Sequence, residues 1–500
     1  MRVPSHSDHI EPLAPEWLAI PEDLNALDPS IWPDTATRNA AGVVEIGGVS
    51  VVELAETFGT PLYVVDRATA VAQATRIRDA FANALATIGT DVTVYYASKA
   101  LLTSDVVRWM RDAGLNVDVS SGGELAIAVA AGMPPQSIGL HGNNKSYAEL
   151  RAAVGIGLGT IVVDSLDEID LLQAVIEDAV AETAADAAAG SPTASSPLAD
   201  PSYRQRVRLR VTTGVHASTH EFLATAREDQ KFGVALADVD EAVRRLRAID
   251  RVEFVGMHSH IGSQIFDALG FDEAITRLIE VQKRLLEGGP VPELNLGGGF
   301  GIAYTEADQP RPIEQMAENI ASTLQRACFA QGVQVPHIAI EPGRSIVGRA
   351  GVTLYETGTI KDVQVDHLAG NTRRYIAVDG GMSDNPRPEL YDADYQAALA
   401  SRTSDAEPVL VRVVGKHCES GDIVVQADYL PEDVRRGDLL AVPDTGAYCF
   451  SLSSNYNMLP RPAVVGVWDG AAHLLVHGES IETLLRRDAG LEITNKTEDR

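Results

Sequence analysis

Cysteine and positive charge are both scarce in this sequence. Three cysteines occur among 500 residues, and they stand far apart, at Cys328, Cys418 and Cys449. An odd number at such spacings argues against a disulfide framework and a cysteine-based metal site, and it indicates a reduced, cytoplasmic compartment. Only 41 Lys and Arg stand against 70 Asp and Glu, so the formal net charge is -29. A chain this acidic offers no positive footprint to nucleic acid or to an acidic membrane surface.

Long apolar runs are missing as well. No uninterrupted apolar stretch is long enough to cross a bilayer, and the opening "MRVPSHSDHIEPLAPEWLAIPEDL" lacks the apolar core of a signal peptide. We therefore expect no membrane partner. The apolar fraction of 45% is ordinary for a globular protein, and 500 residues are too many for one small core. At least two domains are expected.

The middle of the chain alternates between strand-like and helix-like stretches. Apolar strand candidates are followed by segments with apolar spacings of three and four, as in "GGELAIAVAAG" and "DVDEAVRRLRAID". A doubly wound sheet would also alternate in this way, but the number of strands favours a (β/α)₈ barrel of the TIM type. The eight candidates are "VTVYYA", "NVDVS", "SIGLH", "TIVVD", "VRLRVT", "RVEFVGMHSH", "ELNL" and "HIAIE".

Changes in composition divide the rest of the chain. Residues 1–40 are rich in Pro, Asp and Ser and are predicted to form an irregular extension. The barrel is assigned to residues 66–345, with a flexible Ala, Ser and Pro-rich insertion at 181–206. Residues 346–500 contain short strands separated by turn residues, which predicts an all-β domain, either a sandwich or barrel-like. The strand-like pieces at 41–65 are expected to join that domain.

Polar side chains recur where the predicted barrel strands end. Catalytic groups in this architecture gather at the C-terminal ends of different strands, so these residues predict an active site. A solvated strand end is the alternative for any one of them. The residues at these strand ends are Lys99 after the first strand, Asp118, Ser120 and Ser121 after the second, His141 after the third, His258 and His260 at the sixth, "NLGGGFG" at the seventh and Glu341 at the eighth.

A lysine and a glycine-rich loop at one barrel mouth together indicate pyridoxal phosphate. Its aldehyde condenses with an amine, for which Lys99 is the candidate. Its phosphate needs backbone N–H groups, which Gly297–Gly299 could present. Glu341 could pair with its ring nitrogen, and His260 could stack on its ring. A metal site built on His258 and His260 is the competing interpretation, although no clear further set of ligands stands at the other strand ends.

Seven motifs extend this pattern over nearly the whole chain. Their combination and order resemble the diaminopimelate decarboxylase family, which belongs to the fold-type III pyridoxal-phosphate enzymes, and the resemblance covers roughly residues 40–485. The segment "THEFLATAREDQKFG" at 219–233 resembles the actinobacterial type. The motifs are "YYASKA", "HSHIGSQIF", "NLGGGFG", "EPGRSIVG", "VDGGMSDNPRPELY", "GKHCESGDIV" and "GAYCFSLSSNYN".

The resemblance implies a cofactor site built from eight residues. Lys99 would form the Schiff base, His260 would stack on the ring and Glu341 would pair with the ring nitrogen. The remaining residues would hold the phosphate: Ser263, Gly297, Gly298 and Gly299, assisted by Tyr456. No metal is implied.

The resemblance also implies a substrate site shared between two subunits. Arg344, Arg387, Tyr391 and Tyr456 correspond to substrate-binding positions. Cys418 and Glu419 would reach into the active site of a neighbouring subunit, which implies a homodimer, and Glu419 would meet the distal ammonium of the substrate. Two arginines suit a substrate with two carboxylates.

The implied reaction is the decarboxylation of meso-2,6-diaminopimelate to L-lysine and carbon dioxide, the last step of lysine biosynthesis. Cys418 of the partner subunit is a hypothetical proton donor to the product. A decarboxylase of the same fold acting on ornithine, arginine or carboxynorspermidine is the nearest alternative, because such substrates do not need the arginine pair. A metal-dependent hydrolase using His258 and His260, and a non-enzymatic homologue, are the more distant alternatives.

Overall fold

The computed structural model of the chain describes residues 13–188, 196–215, 231–366 and 371–491. Before the barrel, a short antiparallel sheet of three strands is followed by one helix and one buried strand. Residues 13–36 form no strand, yet Ile31 and Trp32 are buried. The elements are β1 (Thr37–Arg38), β2 (Val44–Ile46), β3 (Val49–Ser50), α1 (Val51–Phe58) and β4 (Leu62–Asp66).

All eight predicted barrel strands are present, and they form one closed parallel sheet. The sheet runs β9-β11-β12-β13-β5-β6-β7-β8 and closes because β8 also pairs with β9. The short β10 pairs in parallel with the end of β9. The prediction of a (β/α)₈ barrel is therefore confirmed. The elements are α2 (Arg67–Ala86), β5 (Val92–Ala97), α3 (Ser104–Asp112), β6 (Asn116–Val119), α4 (Gly122–Ala130), β7 (Ile138–Leu140), α5 (Tyr147–Ile156), β8 (Thr160–Val163), α6 (Leu166–Ala188), β9 (Gln205–Thr212), β10 (Val234–Ala235), α7 (Val239–Ala248), β11 (Val252–His258), α8 (Leu269–Leu286), β12 (Glu293–Asn295), α9 (Ile313–Gln331) and β13 (His337–Ile340).

The outer ring of helices closes with the helix that precedes the first barrel strand. Helices α3 to α9 each follow a strand, whereas the last strand leads only into a helix of four residues, Arg344–Val347. Helix α2 fills the gap, since it packs against both α9 and α3. Its start is fixed by Asp66, whose carboxylate accepts hydrogen bonds from the backbone N–H groups of Ala68 and Thr69.

The C-terminal part of the chain is rich in β-structure, as predicted. Its sheet runs β18-β17-β15-β14-β4-β20-β21, with β19 and β16 branching from β14, so β4 lies between β14 and β20. The exact domain limits stay a prediction. The elements are α10 (Arg344–Val347), β14 (Gly351–Asp366), β15 (Asn371–Val378), α11 (Arg387–Tyr391), β16 (Ala398–Leu399), β17 (Pro408–Val414), β18 (Ile423–Pro431), β19 (Leu439–Pro443), β20 (Ala463–Trp468), β21 (Ala471–Val476) and α12 (Ile481–Leu485).

The β-rich part packs over the end of the first barrel strand. The backbone N–H of Tyr448 and the hydroxyl of Ser451 both donate to the carbonyl of Ala100, at 2.8 and 3.0 Å. Since Ala100 directly follows Lys99, these bonds place the predicted active site at the junction of the two parts.

Three expectations fall partly outside the described residues. The predicted insertion at 181–206 begins inside α6 and resumes in a turn of 3₁₀ helix at Pro197–Ala199, while residues 189–195 are outside. Residues 219–230 of the actinobacterial-type segment at 219–233 lie outside the described residues. Residues 1–12 of the predicted N-terminal extension also lie outside them. Within the described part, no helix has the length and apolar character needed to cross a membrane.

Candidate active site at the mouth of the barrel

Lys99 lies on a single 3₁₀ turn, Ser98–Ala100, directly after β5. Its neighbours Ser98 and Ala100 are buried, and the Ser98 hydroxyl donates to Glu124 Oε2 at 3.0 Å, whereas Lys99 itself is exposed. Burial raises the pKa of Asp118 well above its usual range, Glu341 adds to the effect, and the positive charge of Lys99 opposes it. The amine of Lys99 therefore lies within electrostatic reach of a carboxyl group at the next strand end.

Glu341 is the most heavily hydrogen-bonded of the predicted site residues. Its Oε1 accepts from Asn295 Nδ2 at 2.6 Å and lies 3.0 Å from His141 Nε2, while its Oε2 lies 3.1 Å from His258 Nε2. Burial alone would raise the pKa of Glu341, but its electrostatic interactions and hydrogen bonds with His141 and His258 bring that pKa well below its usual range. The carboxylate is thus held ionised in a fixed orientation.

The two histidines of "HSH" have different partners. Burial lowers the pKa of His258 to about 4, against the effect of Glu341, so at neutral pH its ring is uncharged and donates from Nε2. Burial, Lys99 and Arg210 lower the pKa of His260 well below its usual range. His260 Nδ1 accepts a hydrogen bond from the backbone N–H of Gly298 at 3.3 Å, which anchors the neutral ring on the glycine loop.

The glycine loop depends on the absence of side chains. Gly297 and Gly299 have φ of 69° and 103°, in the region that favours glycine. At Gly298 an added Cβ would lie 2.0 Å from the carbonyl oxygen of Glu341. The loop and the eighth strand end are therefore in direct contact, and the backbone N–H of Glu341 also donates to Gly297 at 2.8 Å.

Arg344 and Arg387 are buried, and their hydrogen bonds go to hydroxyl groups rather than to carboxylates. Arg344 donates to the hydroxyls of Tyr304 and Ser263, the latter at 3.0 Å, and its Nε has no acceptor. Arg387 donates to the hydroxyl of Tyr395 and lies over the ring of Tyr304, at 4.5 Å from the ring centroid. Neither guanidinium forms an ion pair with a carboxylate in the described parts of the chain. Asp444 lies within electrostatic reach of Arg387, but burial raises the pKa of Asp444 well above its usual range. Buried charges normally have a partner of opposite sign, so the two arginines predict an anionic ligand.

Tyr391 lies at the other end of α11 from Arg387, four residues along, which places both on one side of this short helix. It is half-buried. Its predicted role in substrate binding stays a prediction.

Cys418, Glu419 and Tyr456 form a separate group on the surface. The Tyr456 hydroxyl donates to Glu419 Oε2 at 3.4 Å, and the backbone N–H of Cys418 donates to Asn457 Oδ1 at 2.9 Å. Cys418 and Glu419 are exposed, and Tyr456 is 41% exposed. Among the described residues, Tyr456 makes no hydrogen bond to Ser263 or to the glycine loop, so its predicted contact with a phosphate stays a prediction.

The structure adds four residues to which the sequence assigned no role. His141 and Asn295 bind Glu341, Tyr304 contacts both arginines, and Arg210 lies within electrostatic reach of Glu341 and Asp118. His141 was visible as a polar strand end. Asn295 and Arg210 stand in strands and Tyr304 stands in the loop after the glycine run, and the sequence pattern there does not distinguish a functional side chain from a packed one.

A metal site is geometrically conceivable on a different set from the one that the sequence suggested. Ligand atoms of His141, His258 and Glu341 lie within 4.8 Å of one another. These atoms already hydrogen-bond to each other, at 3.0 and 3.1 Å, while His260 Nδ1 is engaged by the glycine loop. The arrangement is that of a carboxylate that accepts hydrogen bonds from two histidine rings.

Comparison with known proteins identifies the family. Residues 72–348 match the family model of the pyridoxal-binding domain of pyridoxal-dependent decarboxylases. The chain is 46% identical to the diaminopimelate decarboxylase of Mycobacterium tuberculosis over 471 residues, which is 93% of this chain and 98% of that protein. This chain belongs to the diaminopimelate decarboxylase family. Its resemblance to that family, stated from the sequence motifs, is therefore confirmed.

More distant members and solved structures agree with this assignment. The diaminopimelate decarboxylase of Bacillus subtilis is 43% identical over 458 residues, covering 91% of this chain and 97% of that protein. A crystal structure of the family member from M. jannaschii with L-lysine has a TM-score of 0.79 at 29% identity, covering 91% and 98% of the two chains. The Helicobacter pylori member, also with L-lysine, has a TM-score of 0.73 at 26% identity, covering 87% and 98%.

Proposed function

We propose that this chain decarboxylates meso-2,6-diaminopimelate to L-lysine, with pyridoxal 5'-phosphate carried by Lys99. The observation that carries the proposal is the pair of buried guanidiniums, Arg344 and Arg387, which are 6% and 4% exposed and donate to hydroxyl groups rather than to carboxylates of the described chain. Each can bind a carboxylate through two N–H groups. Diaminopimelate has two carboxylates and two amines, so it matches a site with two unpaired guanidiniums.

The donor set fits the cofactor. An exposed lysine, an ionised carboxylate and a neutral histidine meet at one barrel mouth, and these are the groups that an aldehyde, a pyridine nitrogen and a flat ring require. When bound, pyridoxal phosphate supplies an electron sink for the carbanion that forms at the α-carbon. Ser263 and the loop Gly297–Gly299 are the proposed phosphate ligands, which places Arg344 beside that subsite through its bond to Ser263.

Glu341 has the task of keeping the pyridine nitrogen protonated. An ionised carboxylate favours the protonated form of a nitrogen close to it. His141, His258 and Asn295 direct donors at this carboxylate, so it cannot rotate away or take up a proton easily. His260 is held by Gly298 with its ring uncharged, which suits a stacking role.

Lys99 and the two arginines have separate roles, which are to hold the cofactor and to bind the substrate carboxylates. The amine of Lys99 would hold the aldehyde of the cofactor, and it would exchange places there with the amine of the substrate and later with that of the product. One carboxylate of the substrate leaves as carbon dioxide, the electron pair of the broken bond stays with the α-carbon, and a proton is then added there. The second carboxylate stays bound to an arginine throughout.

The surface group around Cys418 supports a dimer with shared active sites. Cys418 and Glu419 are exposed and lie next to α11, because the Glu389 side chain packs beside Gly421. Leu390 on that helix is 54% exposed and Met458 is 62% exposed, so apolar side chains flank the group. We propose that Glu419 of the partner subunit binds the distal ammonium and that Cys418 of the partner subunit donates the proton. The scarcity of cysteine supports a cytoplasmic location.

Decarboxylation of ornithine or arginine is the alternative activity that the experiment must exclude. Those substrates have a single carboxylate, so they would leave one guanidinium without a partner. This argument makes Arg344 and Arg387 the residues that separate the two activities.

The experiment is the release of L-lysine and carbon dioxide from meso-diaminopimelate by the purified chain with added pyridoxal phosphate. L-ornithine and L-arginine are assayed in parallel. We expect lysine from diaminopimelate alone, and no turnover by Lys99→Ala. Lys361→Ala, which removes an exposed lysine of β14, is the matched control and should match the wild type. Turnover of ornithine or arginine by the wild type would overturn the proposal.

A further inference from the structure

Tyr304 contacts both proposed carboxylate ligands at once. It follows β12 in the loop after the glycine run, and it is 5% exposed. Its hydroxyl accepts a hydrogen bond from Arg344 Nη1. Its ring face lies under Arg387, whose Cζ is 4.5 Å from the ring centroid. No carboxylate in the described chain performs this bridging role.

The phenol suits this position because it is neutral and has two different polar surfaces. Two buried guanidiniums repel one another, and a carboxylate between them would occupy the donors that a ligand needs. A phenol oxygen satisfies one donor of Arg344, and an aromatic face attracts Arg387 without taking any of its N–H groups. Arg344 Nε is left with no acceptor, which keeps a donor available.

The backbone and ring of Tyr304 are themselves fixed. Its backbone N–H donates to Asp308 Oδ2 at 2.9 Å. Its ring meets the edge of Tyr395 at 5.3 Å between centroids, with an interplanar angle of 77°. Tyr395 in turn accepts a hydrogen bond from Arg387 Nη1. The two guanidiniums are therefore held at a separation set by one tyrosine, with a second tyrosine as its support.

We propose that Tyr304 is a positioning residue that spaces the Arg344 and Arg387 guanidiniums and so makes the site selective for ligands with two carboxylates. The proposal rests on the proposed function, since it concerns the same substrate site. The proposal on Tyr304 goes beyond the proposed function, because it assigns the selectivity for two carboxylates to the distance between Arg344 and Arg387. Neither arginine sets that distance alone.

The test compares Tyr304→Phe, which loses only the hydroxyl, with Tyr304→Leu, which loses the hydroxyl and the aromatic face. Tyr203→Phe is the control, because it removes a tyrosine hydroxyl bonded to Gln205 rather than to an arginine. Loss of one hydrogen bond to a charged group should raise KM for diaminopimelate about tenfold in Tyr304→Phe. Loss of the aromatic face as well should raise it about a hundredfold in Tyr304→Leu. In both variants kcat should change less than about threefold, because the interaction is made equally in the bound and transition states.

A second readout needs no turnover. Pimelate has the carbon skeleton and both carboxylates of diaminopimelate, and heptanoate has one carboxylate on a chain of the same length. We expect the wild-type holoenzyme to bind pimelate more tightly than heptanoate, measured by the shift in melting temperature. The preference should weaken in Tyr304→Phe and disappear in Tyr304→Leu. Cofactor affinity, titrated by absorbance, should stay at the wild-type value in all three variants.

Several results would overturn the proposal. An unchanged KM and pimelate preference in Tyr304→Phe would do so, and this variant decides the matter alone if Tyr304→Leu does not fold. A fall in kcat, cofactor affinity and melting temperature together would show that Tyr304 only supports the fold. Failure of the proposed function is distinguishable, because it appears in the substrate series of the wild type, whereas failure of this proposal appears only between wild type and variants.

Discussion

Asp384 is expected to make the stability of this protein depend on pH. It is 1% exposed, and burial raises its pKa from 3.8 to about 7, against the effect of its hydrogen bonds from Tyr355 and Gly381. Its Oδ1 accepts from the Tyr355 hydroxyl, its Oδ2 accepts from the Gly381 N–H at 2.8 Å, and its carbonyl accepts from Tyr63. These bonds organise the loop that leads to Arg387.

The sign and size of the effect follow from the raised pKa. The folded state binds this proton more tightly than the unfolded state, so the stabilisation is fully present below about pH 4 and is lost as the pH rises through about 7. The difference between 3.8 and about 7 corresponds to about 4 kcal/mol of unfolding free energy lost by pH 8.5. Asp384→Asn cannot ionise, but it loses the acceptor for Gly381, at a cost of about 1 to 2 kcal/mol. The wild type loses about 1.4 kcal/mol for each pH unit above 3.8, which amounts to about 1 to 2 kcal/mol by pH 5, so the two stability curves should cross close to pH 5.

The assay is urea unfolding of wild type and Asp384→Asn from pH 4 to pH 8.5. The variant should be less stable than the wild type at pH 4 and more stable at pH 8.5. Asp428→Asn is the matched comparison, because burial also raises the pKa of Asp428 to about 7, and its carboxylate accepts a hydrogen bond from the backbone N–H of Ala397 rather than from the loop that leads to Arg387. It should flatten the stability curve without changing KM, whereas Asp384→Asn should also change KM. Parallel curves for wild type and Asp384→Asn would refute the reasoning.

Three further predictions concern the buried ion pair of Lys145 with Glu168, the glycine loop Gly297–Gly299 and the binding of metals. Lys145→Met leaves Glu168 buried without its partner at 2.7 Å, so the unfolding free energy measured in urea should fall by about 3 to 5 kcal/mol, and adding Glu168→Gln should restore part of it. Gly298→Ala places a Cβ 2.0 Å from the Glu341 carbonyl oxygen, so the cofactor dissociation constant titrated by absorbance should rise at least about tenfold. Dialysis against a chelator should leave turnover unchanged, because the atoms of His141 and His258 that could bind a metal already engage Glu341.

Each of these has a result that contradicts it. Unchanged stability of Lys145→Met would mean that Glu168 finds another partner or takes up a proton at no cost. Gly155→Ala is the control for the glycine loop, since its Cβ meets only the flexible end of Arg151, at 3.1 Å. Equal cofactor affinity in the two glycine variants would show that the loop tolerates a side chain. Loss of turnover on chelation that is restored by metal would favour the hydrolase alternative.

The sequence alone determined the barrel and the position of the site. Eight apolar strands with helical segments between them allow one closed parallel sheet, and polar residues at the C-terminal ends of those strands must meet at one mouth. Lys99, His260, Glu341 and the glycine loop could therefore be predicted together. The family resemblance added Arg344 and Arg387, whose partners no local pattern shows.

Only the tertiary structure decided which side chains support that site. His141, Asn295 and His258 come from three different strands, and their convergence on Glu341 depends on strand order and register. Tyr304 and Arg387 are far apart in sequence, and they meet because the β-rich part packs over the barrel mouth. Helix α2 likewise takes its place through contacts between distant segments: it precedes the first barrel strand, yet it completes the helical ring by packing against α9 and α3. Local sequence determines strands, helices and their ends, whereas contacts between distant segments depend on how the whole chain packs.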